Sequence, residues 1–240
     1  MATTASGNPT RDRETLADDI AGMGSFFIDP QGAARRVFHK WFWAGPLIIF
    51  SIVSAIASYF MMPMVQHVLD VSPIPAGVTP EQYQHSTDMA MTVQRASMFF
   101  APVMAALILA IQTLILLASS AVLTVEAKFR SLFNLVAGCT LIQVLASIAS
   151  VVILKAKGEI SSMAEMRPAL GLDIFLPEGT NKYVVAFLGY FSVFEIWWVV
   201  MMVLTFSAAF RVSKGKAFAV ILPLVVLSIF FRVAAVAFQR

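Results

Sequence analysis

Five stretches of the chain, each about 20 residues or longer, are almost purely apolar: Ala44–Met64, Phe99–Leu123, Leu132–Leu154, Val184–Phe206 and Ala217–Phe238. A hydrocarbon core about 30 Å thick takes about 20 helical residues at 1.5 Å each, so every stretch is long enough to cross one. With 59% hydrophobic and 13% charged residues, a soluble domain of 240 residues has no interior large enough to hide that surface. The expected fold is therefore all-α: a bundle of five transmembrane helices built from residues 44–240. Residues 1–24 are polar and mixed in charge, and they read as a flexible N-terminal segment. They carry no apolar core of a cleavable signal peptide.

Residues 25–43 differ from what precedes them. Phe26, Phe27, Ile28, Val37, Phe38, Trp41, Phe42 and Trp43 are interleaved with Arg35, Arg36, His39 and Lys40. Pro30 suits a first helical turn, where its missing N–H would have no partner anyway. The pattern predicts an amphipathic helix lying in the membrane interface, its aromatics in the acyl boundary and its bases against headgroups. Arg35, Arg36, Lys40, Trp41 and Trp43 are the candidates for contact with the membrane surface or with a docking partner.

Basic residues set the expected orientation, because Lys and Arg are retained on the cytoplasmic side. Arg35, Arg36 and Lys40 precede the first span, Lys128 and Arg130 lie in Thr124–Ser131, and Arg211, Lys214 and Lys216 lie in Ser207–Lys216. The longer connections Val65–Met98 and Lys155–Tyr183 mix bases with Asp and Glu. The expectation is a cytoplasmic N-terminus and an extracytoplasmic C-terminus, in a cytoplasmic membrane if the source is prokaryotic. In the first long connection, Thr79-Pro80-Glu81-Gln82 reads as a capping box that starts a helix running on toward the second span.

Catalytic and metal motifs are absent, and no cofactor-binding pattern appears. There is no Gly-rich phosphate loop, H-E-x-x-H, C-x-x-C or G-x-S-x-G. His39, His67 and His85 fit no metal-ligand spacing, and the lone Cys139 reads as a small packed hydrophobe. The basic residues sit where topology alone would put them, so nucleic acid is not an expected partner. The costly residue is Glu195 in the middle of the fourth apolar stretch. An acid at mid-membrane costs about 2.5 kcal/mol or more on insertion scales, so it should face the bundle and have a partner. Arg232 lies about one helical turn away in depth when both are counted from the turn joining the last two spans. The two form a candidate intramembrane ion pair, structural or functional; alternatively Glu195 is carried neutral. Gln112, Asn134 and Gln143 are the other polar residues available to a path through the membrane.

Two segments carry a resemblance to a known family. Ser25-Phe26-Phe27-Ile28-Asp29-Pro30, followed by the basic-aromatic stretch into Trp43-Ala44-Gly45-Pro46-Leu47, resembles the entry to a Yip1-domain membrane protein. Phe191-Ser192-Val193-Phe194-Glu195-Ile196-Trp197-Trp198 through Lys214-Gly215-Lys216-Ala217 is similar to the family's later spans. The resemblance runs from about Phe26 to the C-terminus and implies five spans with a cytoplasmic N-terminus, in the family's prokaryotic branch. It implies no enzymatic activity and no cofactor. Eukaryotic members are associated with vesicle traffic and with bringing prenylated small GTPases to membranes.

The expected function is that of a non-enzymatic membrane scaffold or adaptor. It would contact the bilayer, protein partners or further copies of itself through helix–helix and interface contacts. The alternative is a small transporter, or an accessory subunit of an export system, that uses Glu195 and Arg232.

Overall fold

The computed structural model describes residues 16–237, apart from 75, 159, 161, 163, 164, 167 and 178. The chain is helical nearly throughout, and five of its helices are long and apolar enough to cross a membrane. In order the helices are α1 (Leu16–Ile28), α2 (Pro30–Arg36), α3 (Ala44–Val71), α4 (Pro80–Val122), α5 (Phe129–Lys157), α6 (Lys182–Leu188), α7 (Val193–Phe210) and α8 (Lys214–Ala237). A short 3-10 turn, Leu172–Phe175, precedes α6.

α5 is the central element. It packs against α1, α2, α3, α4 and α7, and its N-terminal half is buried almost without interruption from Ser131 to Ile142. α8 closes the other side against α4, α6 and α7. α3 is different: its apolar side chains Ile48, Ile52, Ile56 and Phe60 face outward, as lipid-facing residues do. The connections Thr124–Ser131 and Ser207–Lys216 are short enough to force antiparallel hairpins, and these are present as packed pairs, α4 with α5 and α7 with α8. The second of these turns on Arg211, whose φ of 52° places it in the left-handed region.

The N-terminal stretch is not one helix. Asp29 separates α1 from α2 and caps α2, its carboxylate accepting from Gln31 N, with Pro30 in the first turn. Residues 37–43 then turn into α3. The apolar residues of this stretch divide into two sets. Phe26, Val37 and Phe42 are buried in the core, whereas Ile28, Phe38 and Trp41 are exposed. The expectation of a flexible tail falls for residues 1–15 outside the described residues; from Leu16 the backbone is helical.

α4 is 43 residues long, about 64 Å at 1.5 Å per residue. The capping box forms as its sequence predicts: Thr79 Oγ1 accepts from Gln82 N, and Gln82 Oε1 accepts from Thr79 N. Tyr83 then donates to the carbonyl of Leu69 at 3.0 Å, tying the start of α4 to the end of α3. Because α4 starts so early, Pro102 lies inside the helix rather than near its start.

The fourth span departs from expectation. The apolar stretch Val184–Phe206 is two helices, α6 and α7, broken at Gly189–Ser192. α7 begins at Val193, so Glu195 lies in the first turn of a helix and not at its centre.

Candidate functional site

Two regions gather the residues that carry chemistry, one at each end of the bundle.

At the end that carries α1 and α2, a polar clamp holds the N-terminal helices to the spans. Asn134 is fully buried in α5. Its side-chain nitrogen donates to the carbonyls of Val37 at 2.9 Å and His39 at 2.7 Å, and its oxygen accepts from Trp43 N at 3.0 Å. One amide thus satisfies three backbone groups of a segment that has no helix of its own to satisfy them. Trp197 in α7 adds a second tie, its indole N–H donating to the Phe27 carbonyl at 2.8 Å. Phe26 stacks on Phe42, with centroids 5.1 Å apart, and its ring lies over Gly138 of α5. Only glycine leaves room for that ring, since a Cβ at 138 would overlap it.

The clamp decides which candidate residues remain on the surface. Arg35, Lys40 and Trp41 are exposed, with the Lys40 ammonium 5.9 Å from the Trp41 ring centroid. Arg36 is half-buried and packs over Gly22 of α1, while Trp43 is half-buried with its ring edge-on to Phe133. Arg35 lines a shallow cleft of about 430 Å³ together with Gln31, Phe38 and Arg211. The Phe38 ring meets Phe210 at 5.9 Å. The two basic segments, one before the first span and one between the last two, therefore adjoin.

At the opposite end, Glu195 and Arg232 both line an open cleft of about 690 Å³. No direct ion pair joins them. Glu195 instead accepts a hydrogen bond from Gln143 Nε2 at 3.1 Å, and Arg232 is exposed. Ser192 caps α7, its hydroxyl accepting from Glu195 N at 3.1 Å. A first-turn carboxylate is also favourably placed toward the helix N-terminus, where the macrodipole is positive. Ser58, Gln94, Ser147 and Ser150 make the cleft wall polar. The tight turn at Gly189 opens this cleft; a Cβ there would lie 3.1 Å from Asp173 Oδ2 and 3.2 Å from Arg232 Nη2. Sequence reasoning singled out Glu195, Arg232, Gln112, Asn134 and Gln143 as polar groups in the spans, but it did not anticipate the break at Gly189–Ser192 or the clamp that Asn134 makes.

The fold is that of a multi-pass helical membrane protein whose N-terminal helices are docked on one end of a five-helix bundle. A family model described as Yip1 domain matches residues 23–235, and the chain belongs to that family. No curated protein and no solved structure matches the chain.

Proposed function

We propose that this protein is a non-enzymatic membrane scaffold of the Yip1 type. It would present its α1–α2 end to protein partners in the cytoplasm, with the C-terminus on the other side of the membrane. The observation that carries this reading is the shared cleft between Arg35 and Arg211, beside exposed Phe38, Trp41 and Lys40. Two basic segments far apart in sequence meet on one face, and that face is held rigidly by the Asn134 and Trp197 ties. A rigid, basic and aromatic face is the kind of surface on which Arg and Trp act as binding anchors. Arg35, Lys40 and Arg211 replaced together by alanine should lower recovery of co-purifying proteins several-fold. Membrane insertion and melting temperature should stay unchanged, because none of the three is in the clamp. Undiminished partner recovery from that variant would sink the reading.

A second reading is a small transporter or export-system subunit that works through Glu195. The broken fourth span supports it, since interrupted helices with a charged group at the break are how membrane proteins build ion and substrate sites. The expected result is loss of a measurable flux in Glu195→Gln with fold and insertion intact. A flux equal to wild type in that variant would rule this reading out.

A further inference from the structure

Behind the Glu195–Gln143 hydrogen bond is a smaller, half-open chamber of about 190 Å³ between the helices. Its polar lining is Gln112, Thr140, Gln143, Tyr190, Glu195 and Ser228, with Trp198 supplying an aromatic wall. Gln143 and Glu195 line the open cleft as well, so they form the partition between the cleft and the chamber.

Several of the chamber's hydroxyl and amide hydrogens are committed elsewhere, which leaves their oxygens facing it. The Thr140 hydroxyl donates to the Val136 carbonyl at 2.8 Å, and the Ser228 hydroxyl donates to the Leu224 carbonyl at 2.9 Å. One amide hydrogen of Gln143 is engaged by Glu195. With those hydrogens committed, the Thr140 and Ser228 oxygens and Gln143 Oε1 offer lone pairs, while the Gln112 amide and the second amide hydrogen of Gln143 remain as donors. Tyr190 is only 5% exposed, and its hydroxyl makes no hydrogen bond to the protein. Buried hydroxyls in native structures almost always have a partner, so this one marks a position where a ligand or its water belongs.

Charge and size narrow the class. A carboxylate among acceptor oxygens repels anions. A single carboxylate balances a single positive charge, and no group of three or more His, Cys, Asp or Glu suited to a metal ion occurs among the described residues. Arg232 lines the outer cleft but not the chamber. The volume is about six times the 30 Å³ that a water occupies in the liquid, enough for an ion with part of its shell or for a short ammonium. Trp198 offers a π face that favours a cation.

We infer that this chamber is a binding site for a small monovalent cation, an alkali-metal ion or a primary alkylammonium, held by Glu195 with the oxygens of Gln143 and Tyr190. The inference concerns binding and goes beyond both functional readings. It holds whether or not the ion crosses the membrane.

The test uses full-length protein in lipid nanodiscs, with melting temperature followed at constant ionic strength. Bulky N-methylglucamine chloride is replaced stepwise by sodium, potassium or methylammonium chloride. A ligand that binds only the folded protein raises its apparent stability with concentration. The melting temperature should therefore rise and saturate with at least one of the three small cations. Preference for sodium or potassium would identify an alkali-metal site, and preference for methylammonium an ammonium site. Glu195→Gln should abolish the rise. Tyr190→Phe, which keeps the ring and removes only the hydroxyl, should raise the half-saturating concentration about tenfold, which corresponds to about 1.4 kcal/mol. Equal melting temperatures in all four salts would overturn the inference, as would a rise that persists undiminished in both variants.

Discussion

Asn134→Leu is expected to destabilise the docked N-terminal segment by about 3 kcal/mol. The substitution keeps the number and branching of side-chain heavy atoms and removes all three hydrogen bonds of the clamp. It leaves the Val37 and His39 carbonyls and the Trp43 N–H without a partner, and each orphaned buried group costs about 1–3 kcal/mol. Two of the three bonds are only part-buried, so water recovers some of that loss and the lower half of the summed range applies. The effect should be local. Amide exchange should accelerate at residues 37–43 while the interiors of α4 and α5 remain protected, because their helical bonds do not depend on Asn134. Unaltered exchange at residues 37–43 would mean that packing alone holds the segment.

The second prediction concerns Phe26 and Gly138, and a double-mutant cycle reads it directly. Phe26→Ala removes a fully buried ring that stacks on Phe42, and such truncations cost about 3–5 kcal/mol. Gly138→Ala is governed by two opposing effects. Helix propensity favours alanine by about 1 kcal/mol, but the new methyl overlaps the Phe26 ring, and overpacking of that kind costs about 1–3 kcal/mol. In the wild-type background the overlap wins and the variant is destabilised. With Phe26 already replaced, the overlap is gone and Gly138→Ala should become neutral or stabilising. The sign change between backgrounds is the decisive readout of thermal melts in one detergent. Equal effects in both backgrounds would show that the ring and the glycine do not act on each other.

Hydropathy made the five spans readable, because no water-soluble fold tolerates such runs, and the shortness of Thr124–Ser131 and Ser207–Lys216 made the hairpins readable. The capping box at Thr79 was legible for the same reason that it forms: both members are local. The interruption of the fourth span was hidden because Gly189 and Tyr190, flanked by Phe191 and apolar runs on both sides, lower a hydropathy average too little to split the stretch. A local sign was nevertheless present. Ser192-Val193-Phe194-Glu195 has the same spacing as the box at Thr79, and Ser192 indeed caps the helix. Glu195 does not return the favour to the Ser192 N–H, which donates instead to the Tyr190 carbonyl. Its carboxylate turns to Gln143, a residue 52 positions away that no local pattern can point to. The depth count placed Glu195 and Arg232 about one turn apart, and both line one cleft. Depth says nothing of azimuth around the helix, however, and the two do not pair directly. Asn134 was visible as a polar residue in a span; its partners are backbone groups, which sequence does not distinguish from one another.

The early start of α7 also bears on how the protein meets an electric field. Glu195 stands about 15 residues from Phe210, a rise of about 22 Å, whereas an intact hydrocarbon core measures about 30 Å. Wherever solvent follows the serine-lined cleft down to that carboxylate, the insulating layer beneath it is about a quarter thinner than the surrounding bilayer. A transmembrane voltage then falls over the shorter distance, and its gradient there is about one-third steeper. A cation moving from Glu195 to the far side would cross the whole of that drop within the thinner layer, at about 2.3 kcal/mol per charge per 100 mV.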